Sequence, residues 1–305
     1  MTLTSIVIGY DLSSNSDHAL DRACALALQH QAKLVLVHAQ ANDELPADAG
    51  DSAMLQILGE VSGAVRNEEA IRLADKLAAI EAKGVVTELV SRVGPADELL
   101  AKVASEQAAE LIVVGTHGHT GLSRFLLGSV AASTIRHATC DVLVVRGGST
   151  QPYTRPLIAT DFSPQSSKAI ASAARLCAPE ARLEVIHAWQ LPAGSWGATL
   201  LGQARFPWST VRDAVLAGAQ QQADKLVAEH AAAGRTIHVE LVQGPPAQVI
   251  THAAERAGHD LIAVGAHGHR GVRRLLLGSV AESTIRHAPC SVLVVHHEPK
   301  AEPGA

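Results

Sequence analysis

The stretch that decides the fold is LIVVGTHGHTGLSRFLLGSVAASTIRHATCDVLVVR, residues 111–146. It returns as LIAVGAHGHRGVRRLLLGSVAESTIRHAPCSVLVVH, residues 261–296, at a constant offset of 150 residues and with 26 of the 36 aligned positions identical. A repeat on this scale in a chain of 305 residues predicts two domains, each long enough to bury its own core. We place the first domain at 1–147, the second at 153–298 and a disordered tail at 299–305.

Strands and helices alternate along each half of the chain. Short β-branched runs such as SIVIG at 5–9 and LIVVG at 111–115 are followed by stretches whose apolar residues recur at helical spacing. The second half repeats this order, and the boundary falls in RGGSTQPYTR at 146–155, where Gly, Ser and Pro favour a linker. Because such alternation is typical of a parallel sheet covered on both faces, we predict an α/β fold with two tandem doubly wound domains.

Composition and charge exclude several classes of protein. A net charge of -5 provides no basic field for nucleic acid or an anionic membrane, and 3% aromatic residues leave few platforms for stacked bases. The four cysteines have neither C-x-x-C spacing nor the density of a disulfide framework. Because the N-terminus lacks a signal-peptide pattern and no apolar run approaches membrane-spanning length, we expect a cytoplasmic protein.

A glycine-rich loop with the spacing G-x2-G-x9-G-S follows the fourth strand of each half. Ligands of open α/β sheets lie beyond the carboxyl ends of the strands, and glycines let backbone N–H groups approach them closely. The Gly-Ser pair at the start of the next helix exposes N–H donors that suit phosphate. We expect Ser129 and Ser279 to cap these helices, with Ser279 and Glu282 forming a capping box. The spacing matches neither a Walker A loop nor G-x-G-x-x-G, yet it predicts a polyphosphate cradle.

These loops, with YDLSSNSDHAL and TDFSPQSSKAI after the first strands and VGPADELL and QGPPAQVI after the third, resemble the universal stress protein family over nearly the whole chain. The resemblance implies two adenine nucleotide alpha hydrolase-like domains, each with a five-stranded parallel sheet, related by a pseudo-two-fold axis across their last strands. In the ATP-binding branch of that family, the glycine spacing holds the nucleotide phosphates and ribose, and the aspartate after the first strand lies at the nucleotide. The matching residues are Asp11, Gly115, Gly118, Gly128 and Ser129 in the first half, and Asp161, Gly265, Gly268, Gly278 and Ser279 in the second.

Several histidines lie near the predicted nucleotide sites. His38 and His187 end the second strands beside the expected adenine position, where each is either a ligand contact or an imidazole satisfied within the protein. This chain has HGH at 117–119 and 267–269, where many members of the family it resembles have HGR. A titratable imidazole would therefore replace a guanidinium near the phosphates. Because these loop histidines lack a nearby cysteine or a fixed carboxylate, we do not predict a transition-metal site.

The sequence favours binding over catalysis. It contains no G-x-S-x-G elbow, no thiol with an obvious activating base and no H-x-G-H signature after the first strand, so we predict no catalytic residue. We expect an ATP-binding, stress-responsive regulator with one adenine nucleotide per domain and a Mg ion between the phosphates and Asp11 or Asp161. The alternatives are a slow ATPase or adenylyl-transfer enzyme, and an interaction scaffold whose nucleotide sites are vestigial.

The expected partners follow from the same features. We expect a homodimer of tandem chains, no nucleic-acid or membrane partner, and a regulatory protein partner that the sequence does not identify. The two sites should differ in strength, because the first glycine loop carries Arg124 whereas the second carries Arg270, Arg273 and Arg274. Two additional positive charges near the phosphates predict tighter ATP binding in the second half.

Overall fold

The structure is a computed structural model that describes residues 2–40, 52–116, 127–191, 208–232, 236–267 and 277–296. The chain divides into two compact units, Met1–Gln151 and Pro152–Ala305. None of the helices in the described part of the chain combines the length and the apolar character needed to cross a membrane.

The first unit contains five strands and four helices in its described part. The strands are β1 (Ser5–Gly9), β2 (Lys33–Gln40), β3 (Thr87–Val93), β4 (Leu111–Gly115) and β5 (Asp141–Val145). The helices are α1 (Ser14–His30), α2 (Ser52–Glu81), α3 (Ala96–Glu106) and α4 (Ser129–His137).

The second unit repeats this order of elements. Its strands are β6 (Pro156–Ala159), β7 (Leu183–Trp189), β8 (Ile237–Gln243), β9 (Leu261–Gly265) and β10 (Ser291–Val295). Its described helices are α5 (Pro164–Leu176), α6 (Trp208–Ala232), α7 (Pro246–Ala257) and α8 (Ser279–His287).

Each unit has a five-stranded sheet in which all pairings are parallel, which confirms the predicted fold class. The strand order is β3-β2-β1-β4-β5 in the first unit and β8-β7-β6-β9-β10 in the second. The chain therefore moves outward from β1 to β3 and then returns past β1 to β4. In such sheets the order reverses between the first and fourth strands, and a crevice opens at their carboxyl ends.

The strand interiors are apolar because helices cover both faces of each sheet. Successive side chains of a strand point to opposite faces of the sheet. Ile6, Val7 and Ile8 of β1 all have no exposed surface, so both faces are covered at β1. Residues at the end of β1 identify the two layers. An added Cβ at Gly9 would lie 2.9 Å from Leu100 of α3, whereas the next residue, Tyr10, bonds to α1.

The end of β4 approaches α1 so closely that a side chain has little room. An ideal Cβ on Gly115 would lie 3.0 Å from the carbonyl oxygen of Asn15. We expect Gly115→Ala to lower the free energy of unfolding by about 1–3 kcal/mol, because the backbone of α1 must move. Gly63→Ala is the matched control: Gly63 lies inside α2 with no atom within 4 Å of an added Cβ, so alanine should stabilise by roughly 0.5–1 kcal/mol. Urea unfolding measures both, and equal effects would contradict the close approach.

Polar contacts hold α2 to the rest of the first unit. The Tyr10 hydroxyl donates to Asp17 Oδ1 at 2.7 Å, and Lys76 Nζ of α2 donates to the same oxygen at 2.6 Å. Burial raises the pKa of Tyr10, and the hydrogen bond to Asp17 raises it further, so the phenol stays protonated and donating. Burial also acts to raise the pKa of Asp17, but the hydrogen bonds from Lys76 and Tyr10 outweigh it and hold that pKa below its ordinary value.

The lowered pKa of Asp17 makes this contact sensitive to acid. A folded-state pKa below the unfolded value of about 3.9 gives stability that is present above that pH and is lost as the pH falls through the folded pKa. We expect Asp17→Asn to be less stable than the wild type at pH 7, and the difference to shrink at pH 3. Urea midpoints at both pH values test this, and a difference that does not change with pH contradicts it.

Candidate functional site

The candidate site of the first unit is a cavity of about 300 Å³ at the predicted crevice. Its wall comes from the carboxyl ends of β1, β2 and β4 and from the first turns of α1, α3 and α4. The lining residues are Gly9, Tyr10, Asp11, Ser16, Val37, Ala39, Ala96, Leu100, Val114, Gly115, Thr116, Gly128, Ser129, Val130 and Ala131. Three helix N-termini therefore converge on one cavity, and each presents the positive end of a helix dipole.

A tight turn after β1 positions Asp11 at this cavity. The Ser13 N–H group donates to Asp11 Oδ1 at 3.0 Å, which closes an Asx turn. Ser13 then caps α1, because its hydroxyl accepts the N–H group of Ser16 at 3.2 Å. Between them, Leu12 has φ of 64°, in the left-handed region that a branched side chain rarely enters.

The second unit has the same turn after β6. The Ser163 N–H group donates to Asp161 Oδ1 at 3.0 Å, and Phe162 has φ of 62°. A left-handed conformation costs a residue other than glycine roughly 1–2 kcal/mol. Such strain persists where the surrounding structure imposes it, often at ligand sites. The strain occurs at equivalent positions in both units, so in each unit the surrounding structure keeps the aspartate turn in place despite the conformational energy of the left-handed residue.

The helix after the glycine loop begins without a side-chain cap. Gly128 is the N-cap of α4, its φ and ψ are -58° and 146°, and its carbonyl accepts the Ala132 N–H group at 2.9 Å. Ser129 is the first helical residue and lines the cavity. The N-cap glycines provide no side-chain hydrogen bond to the first N–H groups of α4 or of α8. These donors are therefore positioned to bind an anion at the cavity.

The predicted capping roles of Ser129 and Ser279 were wrong. In α8 the N-cap is Gly278, and the Glu282 carboxylate pairs with Arg286 at 3.0 Å rather than forming a capping box. The physical reason is a lack of space, because an ideal Cβ on Gly278 would lie 3.1 Å from the Ala266 carbonyl oxygen. Glycine is itself an accepted N-cap residue, so the Gly-Ser pair contained the correct signal.

The ends of each glycine loop are joined by one backbone hydrogen bond. The Gly128 N–H group donates to the Thr116 carbonyl at 2.8 Å, and the Gly278 N–H group donates to the Ala266 carbonyl at 2.9 Å. The fourth strand and the next helix of each unit are thus fixed at the place where the loop leaves and returns. Residues 117–126 and 268–276, including the predicted Gly118 and Gly268, lie outside the described residues.

The structure places His38 away from the cavity wall. Its neighbours Val37 and Ala39 line the cavity, so the alternation along β2 turns His38 to the opposite face of the sheet. There Nδ1 lies 2.9 Å from the Tyr10 carbonyl oxygen, to which it donates. Nε2 lies 3.8 Å from the Glu69 carboxylate. The imidazole therefore supports the turn that carries Asp11.

His187 has the corresponding position in the second unit. Its Nδ1 atom lies 2.8 Å from the Thr160 carbonyl oxygen, and its ring lies against Phe162 with the centroids 4.4 Å apart. Both histidines thus bond to the residue before the aspartate. In the described part of the chain, no three His, Cys, Asp or Glu side chains come together in a group that could hold a metal ion.

Several lining residues were not predicted from the sequence. Val37, Ala39 and Leu100 provide apolar wall, and Ala96 places the start of α3 at the cavity. The period-2 alternation of β2 could have identified Val37 and Ala39, because they flank His38 on the strand. Ala96 has no chemical signal of its own, and its role follows only from the packing of α3 beside α4.

Comparison with known proteins gives a consistent family match. The model of the universal stress protein family matches residues 2–146 and 152–296. The chain is 27% identical over 306 residues to a universal stress protein of Mycolicibacterium smegmatis, covering 95% of this chain and 96% of that relative.

Solved structures show the same likeness. The structure of a universal stress protein of Archaeoglobus fulgidus is 20% identical in sequence and has a TM-score of 0.66, which shows the fold. The match covers 96% of this chain and 98% of that protein. A universal stress protein in complex with cAMP is 30% identical over 49% of this chain and 100% of its own, with a TM-score of 0.36.

Proposed function

The chain belongs to the universal stress protein family, and from this premise we propose that each of its two units binds ATP and acts as a nucleotide-dependent regulator in the stress response. The observation that carries the proposal is the cavity on which three helix N-termini converge. One similar protein was solved with a nucleotide, cAMP, and that ligand belongs to the class proposed here.

The geometry divides the cavity into parts suited to different parts of a nucleotide. The uncapped N–H groups at Ser129, Val130 and Ala131 suit the phosphates, because the donors and the helix dipole both favour negative charge. Val37 and Leu100 provide apolar wall for a base. Asp11 adds a carboxylate that accepts hydrogen bonds from amino or hydroxyl groups of the ligand. The second unit repeats the uncapped helix and the aspartate turn.

A Mg ion bound with ATP fits the donor set. Asp11 supplies a carboxylate oxygen, the ligand type that Mg prefers, and the nucleotide phosphates would supply others. The ion would reduce the repulsion between that carboxylate and the phosphates.

We propose binding rather than rapid turnover. Of the cavity-lining residues that the structure describes, Asp11 is the single carboxylate, and its Oδ1 atom is engaged in the turn. A hydrolase or adenylyl transferase needs a general base within reach of the reacting oxygen or its water. Steady-state phosphate release well above the rate without protein would contradict this part of the proposal.

Calorimetric titration of the intact chain with ATP tests the proposal. We expect saturable binding with one ATP per unit, and a shift of thermal unfolding to higher temperature. ATP at about 100 times its dissociation constant should stabilise a binding unit by about 2.7 kcal/mol. Inorganic phosphate and adenosine, each carrying only part of the ligand, should bind more weakly than ATP. The absence of both heat and thermal shift would favour the scaffold alternative.

A further inference from the structure

The helices α3 and α7 occupy equivalent places in the two units but differ in charge at their N-termini. Both have a proline N-cap with nearly the same backbone angles, φ of -62° at Pro95 and -61° at Pro245. The first turn of α3 contains Asp97 and Glu98, whereas the first turn of α7 contains no acidic residue. Ala247 takes the place of Asp97 at the 150-residue offset.

Asp97 lies at the rim of the candidate nucleotide cavity. Its neighbours Ala96 and Leu100 line that cavity, and its Oδ2 atom accepts a hydrogen bond from Ser133 Oγ of α4, one turn beyond the lining residue Ser129. The carboxylate is therefore fixed between the starts of α3 and α4. Both helix starts contribute residues to the cavity wall, so this charge lies close to any anion bound there.

Asp97 is ionised at neutral pH. The hydrogen bond from Ser133 holds the pKa of Asp97 below its ordinary value against the opposing effect of burial, and backbone N–H groups and His137 add to this. A fixed negative charge in the first turn offsets the positive end of the α3 dipole. It also repels each further negative charge that a ligand brings to the cavity.

We propose that Asp97 makes the first unit discriminate against phosphate charge, so that its affinity for ATP exceeds its affinity for AMP by a smaller factor than in the second unit. This inference rests on the proposed nucleotide function, because it names the ligand class of each of the two sites. Asp97 is a specificity-determining residue, and it acts through charge rather than through contact with the base. Both units bind ATP, and AMP competes with it more effectively at the first unit than at the second.

Charge exchange between the two units tests the proposal. Asp97→Asn removes the charge and keeps an oxygen that accepts the Ser133 hydroxyl, and Ala247→Asp places the charge in the second unit. Two-site isotherms of the intact chain with adenosine, AMP and ATP are compared for both variants. We expect Asp97→Asn to raise the affinity of the weaker ATP site about three- to tenfold. The affinity for AMP should change less, and the affinity for adenosine should stay within about twofold of the wild-type value. Ala247→Asp should weaken the tighter ATP site by a similar factor, and 0.5 M salt should reduce both effects.

The outcomes separate this inference from the proposed function. If the affinities for adenosine and ATP change by the same factor, Asp97 has a structural role and the inference is overturned. Unchanged affinities for all three ligands overturn it as well, while the nucleotide function stands. If the wild-type chain binds none of the three ligands, the proposed function itself fails.

Discussion

Ser129→Pro should weaken ATP binding at the first unit about 10- to 100-fold while leaving the unit folded. The residue is the first of α4, where proline costs the helix no hydrogen bond and its fixed φ suits the first turn. The preceding Gly128 has the extended conformation, ψ of 146°, that a residue before proline requires. The substitution thus removes one N–H donor from the cavity. A hydrogen bond to a charged group contributes about 1.5–3 kcal/mol, and the expected loss of affinity corresponds to that range.

Matched variants separate the backbone donor from the side chain. Ser129→Ala removes the hydroxyl but keeps the N–H group, so it should retain most of the affinity. Ser279→Pro repeats the change in the second unit, where Gly278 has ψ of 140°, and should weaken the other ATP site alone. Two-site titrations measure each variant. Equal weakening of ATP binding by alanine and proline, or no effect of proline, would show that the Ser129 N–H group does not bind the nucleotide.

Asp11→Asn should weaken ATP binding at the first unit about tenfold without loss of stability. Asparagine keeps the oxygen that accepts the Ser13 N–H group, so the turn and the left-handed Leu12 persist. What changes is the charge presented to the ligand, and charge-assisted hydrogen bonds are roughly twice as strong as neutral ones. If Asp11 also binds Mg, the loss should be larger with Mg present than with EDTA.

Asp11→Ala removes the turn as well as the charge. We expect it to weaken ATP binding at least as much as Asp11→Asn does. It should also lower the free energy of unfolding by about 1 kcal/mol, which is the typical effect of losing a comparable capping hydrogen bond. Titration gives the affinity, and urea unfolding gives the stability. Wild-type affinity in Asp11→Asn combined with weak binding in Asp11→Ala would mean that Asp11 acts only through the turn.

The fold could be predicted from the sequence because its signals are local and repeated. Apolar runs at 5–9 and 111–115 are buried strands in the structure, and the alternation with helices predicted parallel sheets. The number of five strands in each sheet was an implication of the family resemblance. Gly84, a residue type that commonly follows a helix, has φ of 87° three residues after α2 ends.

The candidate site was less predictable because its details depend on contacts between distant residues. The N-cap at Gly278 depends on the Ala266 carbonyl 3.1 Å from an added Cβ, which no local pattern reveals. Leu12 and Phe162 gave no sequence signal of a left-handed turn, since glycine or asparagine usually marks one. The charge held by Asp97 at the cavity rim likewise depends on Ser133, which lies far away in the sequence.

We expect each unit to hold one nucleotide at the start of the helix after its glycine loop. Equilibrium dialysis against saturating labelled ATP tests it directly on the wild-type chain, the two single proline variants at Ser129 and Ser279, and the variant with both changes. Circular dichroism confirms that each variant is folded. At a concentration that saturates only unaltered sites, we expect two ATP per wild-type chain, one in either single variant and none in the double variant. Wild-type chains that bind no ATP, or a double variant that still binds two, would contradict it.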